Sequence, residues 1–340
     1  MSAALAMTSC KRRDEHASSE SVPATKSTAT ASNPAREAKR PWPAGKLIHG
    51  PVSLVFAVYA LPGGTADVLA AARAAHGGLA TLTLIEEGEM SFAATTLRLT
   101  TPAMKDFAPP DAGNLAFVGR GLSEAEVAAV QHSPQVVVMT FNAPAKHARR
   151  MHRDALALAD EVAKTSGGLI WDDATGELFA REAFARRLAK PVDDLKNLPA
   201  HFTICVSDAR GGLVRLVSHG LEKLGLSNLV VENVTRSSSS SMISVLNAVA
   251  ATMYRDGKLA KTGELTVTNA VVDAEALDSA KGAATVHLVE GTAQEGDPRG
   301  RLIEIAFPGP AAALHERQEQ TIDALFGSSD EMDYTLAHNR

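Results

Sequence analysis

From Pro51 onward, short β-branched apolar runs alternate with longer stretches of helical periodicity, and this alternation restricts the fold class more than any other feature of the chain. "PVSLVFAVYAL", "QVVVMTFNAP", "HFTICVSD", "ATVHLVEG" and "RLIEIAFPG" are each bounded by Gly, Pro, Asp or Asn, as buried strands are. None approaches the run of about 18 apolar residues that a membrane-spanning helix requires. Between the strands lie segments with helix signals. "TADVLAAARAAH" carries Thr65 as a candidate N-cap, and "LSEAEVAAVQHSP" pairs Ser123 with Glu126 as a capping box. "AKHARRMHRDALALADEVAKTSGG" places Ala148, Met151, Ala155, Leu158 and Val162 on one face and charge on the other.

The connections are short. "LATLTLIEEGEMSFAATTLRL" reads as two strands joined by a turn at "EEGE", and "LIWDDATGELF" as a hairpin turning at "DATG". Such links predict an α+β fold, with mixed or antiparallel sheets packed by helices rather than a doubly wound parallel sheet. "AKPVDDLKNLPA" divides the chain into an N-terminal α+β domain over 47–190 and a C-terminal one over 198–327, with a tail at 328–340. In the second, "GGLVRLVSHGLEKLG" reads as a helix with Leu213, Leu216, Val217, Leu221 and Leu224 on one face, and "SSSSSMISVLNAVAATMYRDG" as another. Each half starts with an apolar strand that leads into a helix, which suggests a distant duplication.

Residues 1–46 differ from the rest. The segment after Cys10, "KRRDEHASSESVPATKSTATASNPAREAKRPWPAGK", holds little to bury and is expected to be a disordered leader and linker. It is mildly basic, with eight Lys/Arg against four Asp/Glu, which leaves 26 against 35 for residues 47–340. An acidic body with only 4% aromatic residues suits neither phosphate backbones nor base stacking, so no nucleic-acid partner is expected. The two cysteines, Cys10 and Cys205, give no disulfide framework, and Cys205 in its apolar run is expected to be a free buried thiol.

Few residues carry a chemical signal. Asp172, Asp173 and Glu177 gather at the "DATG" hairpin, where paired carboxylates serve hydrolysis or hold a cation, although turns are also built from Asp and Glu. The run "RSSSSSM" offers Ser239, Ser240 and Ser241 at a helix start as an anion site, with a helix cap as the plainer reading. His147 and His152, five apart, do not form the i, i+4 pair of a zinc helix, and His201, His219 and His287 lack a partnered Ser or Cys motif. No metal site is assigned, and no dinucleotide, P-loop or nucleophile-elbow pattern calls for a cofactor.

Two resemblances complete the reading. "SAALAMTSC" resembles the end of a bacterial lipoprotein signal, with Thr8 and Ser9 as the small residues and Cys10 as the lipidation site. "FNAPAKHARRMHRDALALADEVAKTSGGLIWDDATGELF" and "LVRLVSHGLEKLGLSNLVVENV" are similar to segments of uncharacterised bacterial families catalogued as domains of unknown function. That similarity implies a bacterial origin and an α+β fold and carries over no catalytic residues. The expectation is an envelope lipoprotein, held at the membrane through Cys10, whose body binds an unknown protein or small molecule without catalysis. The rivals are a hydrolase or metal-dependent enzyme using the acidic hairpin, and a cytoplasmic interaction module with a disordered leader.

Overall fold

The computed structural model describes residues 45–46, 51–64, 67–79, 82–85, 94–256, 258–259, 263–268 and 282–327. In the N-terminal half the elements are β1 (Gly45–Lys46), β2 (Val52–Tyr59), α1 (Val68–His76), β3 (Thr83–Ile85), β4 (Thr96–Thr100), α2 (Ala112–Val118), β5 (Gly119–Arg120), α3 (Glu124–Val130), β6 (Val136–Ala143), α4 (Ala148–Ser166), β7 (Leu169–Asp172), β8 (Glu177–Phe179) and α5 (Arg181–Leu188). The C-terminal half holds β9 (Thr203–Asp208), β10 (Leu213–His219), β11 (Asn228–Thr235), α6 (Ser239–Asp256), β12 (Lys258–Leu259), β13 (Glu264–Thr268), β14 (Ala283–Glu290), β15 (Leu302–Ala306) and α7 (Leu314–Phe326).

The strands form two mixed sheets, ordered β3-β4-β6-β2-β7-β8-β5 and β13-β14-β15-β11-β10-β9, with β1 and β12 paired apart from both. The fold is α+β, as expected. In the first sheet β2 is central and antiparallel to β6 and β7, and its apolar run is buried because helices cover both faces. α1 and α4 pack on one face around Phe56, Val58, Met139 and Ile170, and α2 and α3 on the other around Ala57, Tyr59 and Val136. The apolar stripe of α4 is fully buried, and Gly167 ends this helix in the left-handed conformation at φ 69°. In the second sheet β11 runs parallel to β15 and antiparallel to β10, and α6 and α7 close its main core.

Among the described residues each buried apolar cluster draws its residues from one half, so the halves do not share a core. The boundary stretch belongs with the second, where Val192, Leu198 and Phe202 are buried. The two strand orders differ, and topology gives the duplication no support.

Four local expectations need correction. The residue capping α1 is Asp67, whose side chain accepts from Leu69 and Ala70 N–H, while Thr65 lies outside the described residues. β3 and β4 pair in parallel, which a tight turn cannot connect. "LVRLVSH" is not helical but strand β10, ladder-paired on both sides, and only Leu221–Leu224 turn as a short 3₁₀ segment. Val214 and Leu216 enter the main core while Val217 packs with Val230 and Leu302 on the opposite face. Burial on both faces puts apolar residues on each, at Val214 and Leu216 and at Val217, so the run lacks a clean alternation and periodicity no longer separates strand from helix. Finally, Cys205 is buried but disulfide-bonded, so no free thiol is present there.

Candidate functional site

Asp172 ends β7 and Glu177 begins β8, and the turn between them closes through Gly176, whose φ of 66° suits glycine. The two residues are directly opposite in the ladder, so their side chains share a face. That face meets α5 and the 3₁₀ turn of the other half. Arg187 of α5 donates to Asp172 Oδ2 at 2.9 Å and to Glu177 Oε2 at 2.6 Å, and Arg120 Nε reaches Glu177 Oε1 at 2.7 Å. From the C-terminal half, Lys223 Nζ donates to the same Oδ2 of Asp172. Asp172 and Lys223 are fully buried, and Arg187 and Glu177 nearly so.

Asp172 also accepts from the backbone N–H of Ala174 at 3.2 Å and Thr175 at 3.4 Å. Burial works to raise its pKa, but Lys223 and Arg187 outweigh this and hold the carboxyl below the usual range. Burial lowers the pKa of Lys223, opposed by Asp172. Two carboxylates are thus offset by two buried cations, Arg187 and Lys223, and by the partly exposed Arg120. A carboxylate held in this way has neither a free lone pair aimed at a substrate nor access to water.

Two histidines lie against the cluster. His152 on α4 and His201 after the boundary stretch meet edge to face, with ring centroids 5.2 Å apart. His201 Nε2 contacts the Lys190 carbonyl at 2.6 Å, whereas its Nδ1 and both nitrogens of His152 are buried without a hydrogen-bond partner. Burial, with Lys223 and His201 adding to it, holds His152 well below the ordinary imidazole range, and burial lowers His201 to about 4.

Asp173, next to Asp172, does not enter the cluster. It is exposed, accepts from Trp171 Nε1 at 3.3 Å, and lines a cleft of about 580 Å³ between the halves. Glu222 and the Arg299–Arg301 loop of the C-terminal half also line this cleft, as does the start of β2 with Ser53. Glu222 accepts from Gly220 N–H at 3.0 Å and Asn228 Nδ2 at 2.6 Å, and its pKa is raised, chiefly by burial.

The acidic hairpin is therefore split, with Asp172 and Glu177 in an ionic cluster and Asp173 in a cleft. Sequence reading missed Lys223, Arg187 and Glu222. The one available signal was a Lys set among Leu221, Leu224 and Leu226 and bracketed by Gly220 and Gly225. The serine run leads into α6 with its hydroxyls already engaged: Ser239 Oγ donates to the Arg236 carbonyl at 2.8 Å and Ser238 to Glu319, whose carboxylate lies at the helix start. Ser240 is exposed and Ser241 half-buried. His147 is exposed and apart from His152. Among the described residues, no three His, Cys, Asp or Glu side chains are placed to hold a metal ion, and no helix is long and apolar enough to cross a membrane. Cys10 lies outside the described residues. Comparisons with protein-family models, curated proteins and solved structures return no match.

Proposed function

We propose that this chain is a non-catalytic binding protein of the bacterial envelope, which holds a ligand or partner in the cleft between its two halves and is anchored by lipid on Cys10. One observation carries the binding reading. The carboxylates best placed for chemistry are sealed in ion pairs, while Asp173, Glu222 and Ser53 present polar groups in an open cleft of about 580 Å³. A concave site of this size with a few convergent polar groups suits a small molecule or a short peptide.

A thermal-shift screen of small polar molecules and short peptides tests the cleft. A ligand that raises the Tm of the wild type but not of Ser53→Trp supports it, because Ser53 is exposed and lines the cleft, so that a Trp there obstructs it. A hit list unaffected by Ser53→Trp would move binding elsewhere.

The anchor rests on the sequence around Cys10, where two or three acyl chains would hold the protein stably. Cys10 is the only other cysteine in the sequence, so a thioether there requires Cys205 to be reduced or bonded to another chain. Intact mass of the protein from its native host separates the cases. A chain beginning at acylated Cys10 supports the anchor, and an unprocessed start with oxidised cysteines removes it.

A further inference from the structure

The ionic cluster and the cleft are joined through two dipeptides. In Asp172–Asp173 and in Glu222–Lys223, one member enters the cluster and its neighbour lines the cleft. Asp172–Asp173 belongs to the N-terminal half and Glu222–Lys223 to the C-terminal half. Any change in the spacing of Asp172 and Lys223 is therefore passed to a cleft-lining residue of each half across a single peptide unit. Close packing reinforces this coupling, since a Cβ on Gly220 would lie 2.8 Å from Thr175 Cγ2 and 3.3 Å from Lys223 Cε.

The charges around the histidine pair are already ion-paired. Lys223 faces it from the 3₁₀ turn, Arg187 from α5 and Asp172 from β7, with Glu177 of β8 paired to Arg187 behind them, while the Lys190 carbonyl holds His201. α1 and β2 pack on α4 with apolar side chains such as Ala72 and Phe56. A proton on either imidazole adds a charge beside two cations, with three buried ring nitrogens lacking any acceptor.

We infer that the His152–His201 pair is a proton-operated latch that sets the width of the cleft. Neutral imidazoles leave Lys223 seated on Asp172 and the halves closed. Protonated imidazoles repel Lys223 and Arg187, break the cross-half ion pair and part the walls. The purpose of the latch rests on the cleft being a binding site, but the motion itself needs no ligand.

The direction follows from linkage. An exposed imidazole titrates near 6.5 and His201 in the closed cluster near 4, so protons bind the open form more tightly. On those values His201 alone favours opening by roughly 20-fold at pH 5 relative to neutrality.

The test places spin labels, through non-canonical residues, at Asp173 and Arg299 of the full chain, which line the cleft from the N- and C-terminal halves, and reads their separation between pH 7 and pH 5. Both positions are exposed. The expected result is a reversible lengthening with unchanged far-UV circular dichroism, absent in His152→Leu/His201→Leu. Should that variant not fold, His201→Gln, which keeps a polar side chain without its titration, is expected to weaken the response. An unchanged separation at pH 5, lengthening that persists in the folded variants, or lengthening accompanied by loss of secondary structure overturns the latch. Failure to find any ligand for the cleft leaves this readout untouched and bears on the binding proposal alone.

Discussion

Removing the cation from the cross-half ion pair gives the sharpest test of how the two halves are held. Lys223→Met deletes the charge while keeping an unbranched apolar stem in a fully buried position. Breaking a buried pair by removing one partner typically costs about 3–5 kcal/mol, because the remaining charge is left uncompensated. Here Asp172 keeps Arg187 at 2.9 Å and the N–H groups of Ala174 and Thr175, which places the loss at the lower end, about 3 kcal/mol. Asp172→Asn removes the opposite partner. Arg187 keeps Glu177 at 2.6 Å, but Lys223 loses the carboxylate that offsets its burial, so the cost should be similar or larger. The double variant then loses little more than either single one, with a coupling energy of about 2–3 kcal/mol. Urea unfolding followed by tryptophan fluorescence reads these differences, since Trp171 adjoins Asp172 on β7. Single-variant costs below about 1 kcal/mol, or additivity in the double variant, would refute the claim that this pair is a desolvated, energetically coupled contact.

Three further outcomes follow from the same geometry. Because the folded pKa of His201 lies at about 4 and its unfolded value near 6.5, the unfolded state binds more protons below 6.5. Stability is therefore full above pH 6.5 and falls as the pH drops towards 4, by up to about 3 kcal/mol from this residue, and His201→Gln should flatten that limb in urea titrations at stepped pH. Gly220→Ala combines a φ of 103° with a Cβ 2.8 Å from Thr175 Cγ2, and should cost about 2–4 kcal/mol, read as a lowered denaturation midpoint. Ser123→Ala removes a capping box on an exposed helix and should cost only about 1 kcal/mol, with no change in the pH profile.

The elements legible in the sequence are those in which local chemistry and tertiary burial agree. α4 was legible because its apolar stripe, charged outer face and terminal glycines all signal the same helix, and α3 because its capping box is local. β7 and β8 were legible through their turn. β10 was not, because its two faces enter two different apolar clusters and it therefore lacks the alternation of a half-buried strand. The parallel pairing of β3 with β4 is fixed by contacts far from either strand's own residues, so local turn signals carry no record of it.

The site was half-legible for a related reason. The acid-rich hairpin was visible as a concentration of carboxylates, but a carboxylate's role is set by what faces it. Asp172 and Glu177 face Arg187 and Lys223, which are 15 and 51 residues from Asp172 in sequence. Asp173 points the other way by the plain geometry of consecutive residues at a strand end. Reading "GLEKLG" as part of a helix gave Lys223 no role and hid the partner that distinguishes a buried ionic contact from a catalytic dyad. The same error hid Glu222, which lines the cleft only because the chain turns tightly between Gly220 at φ 103° and Gly225 at φ 78°. Two glycines whose left-handed conformation could not be foreseen thus decide which carboxylates are sealed in the protein and which remain open to a ligand.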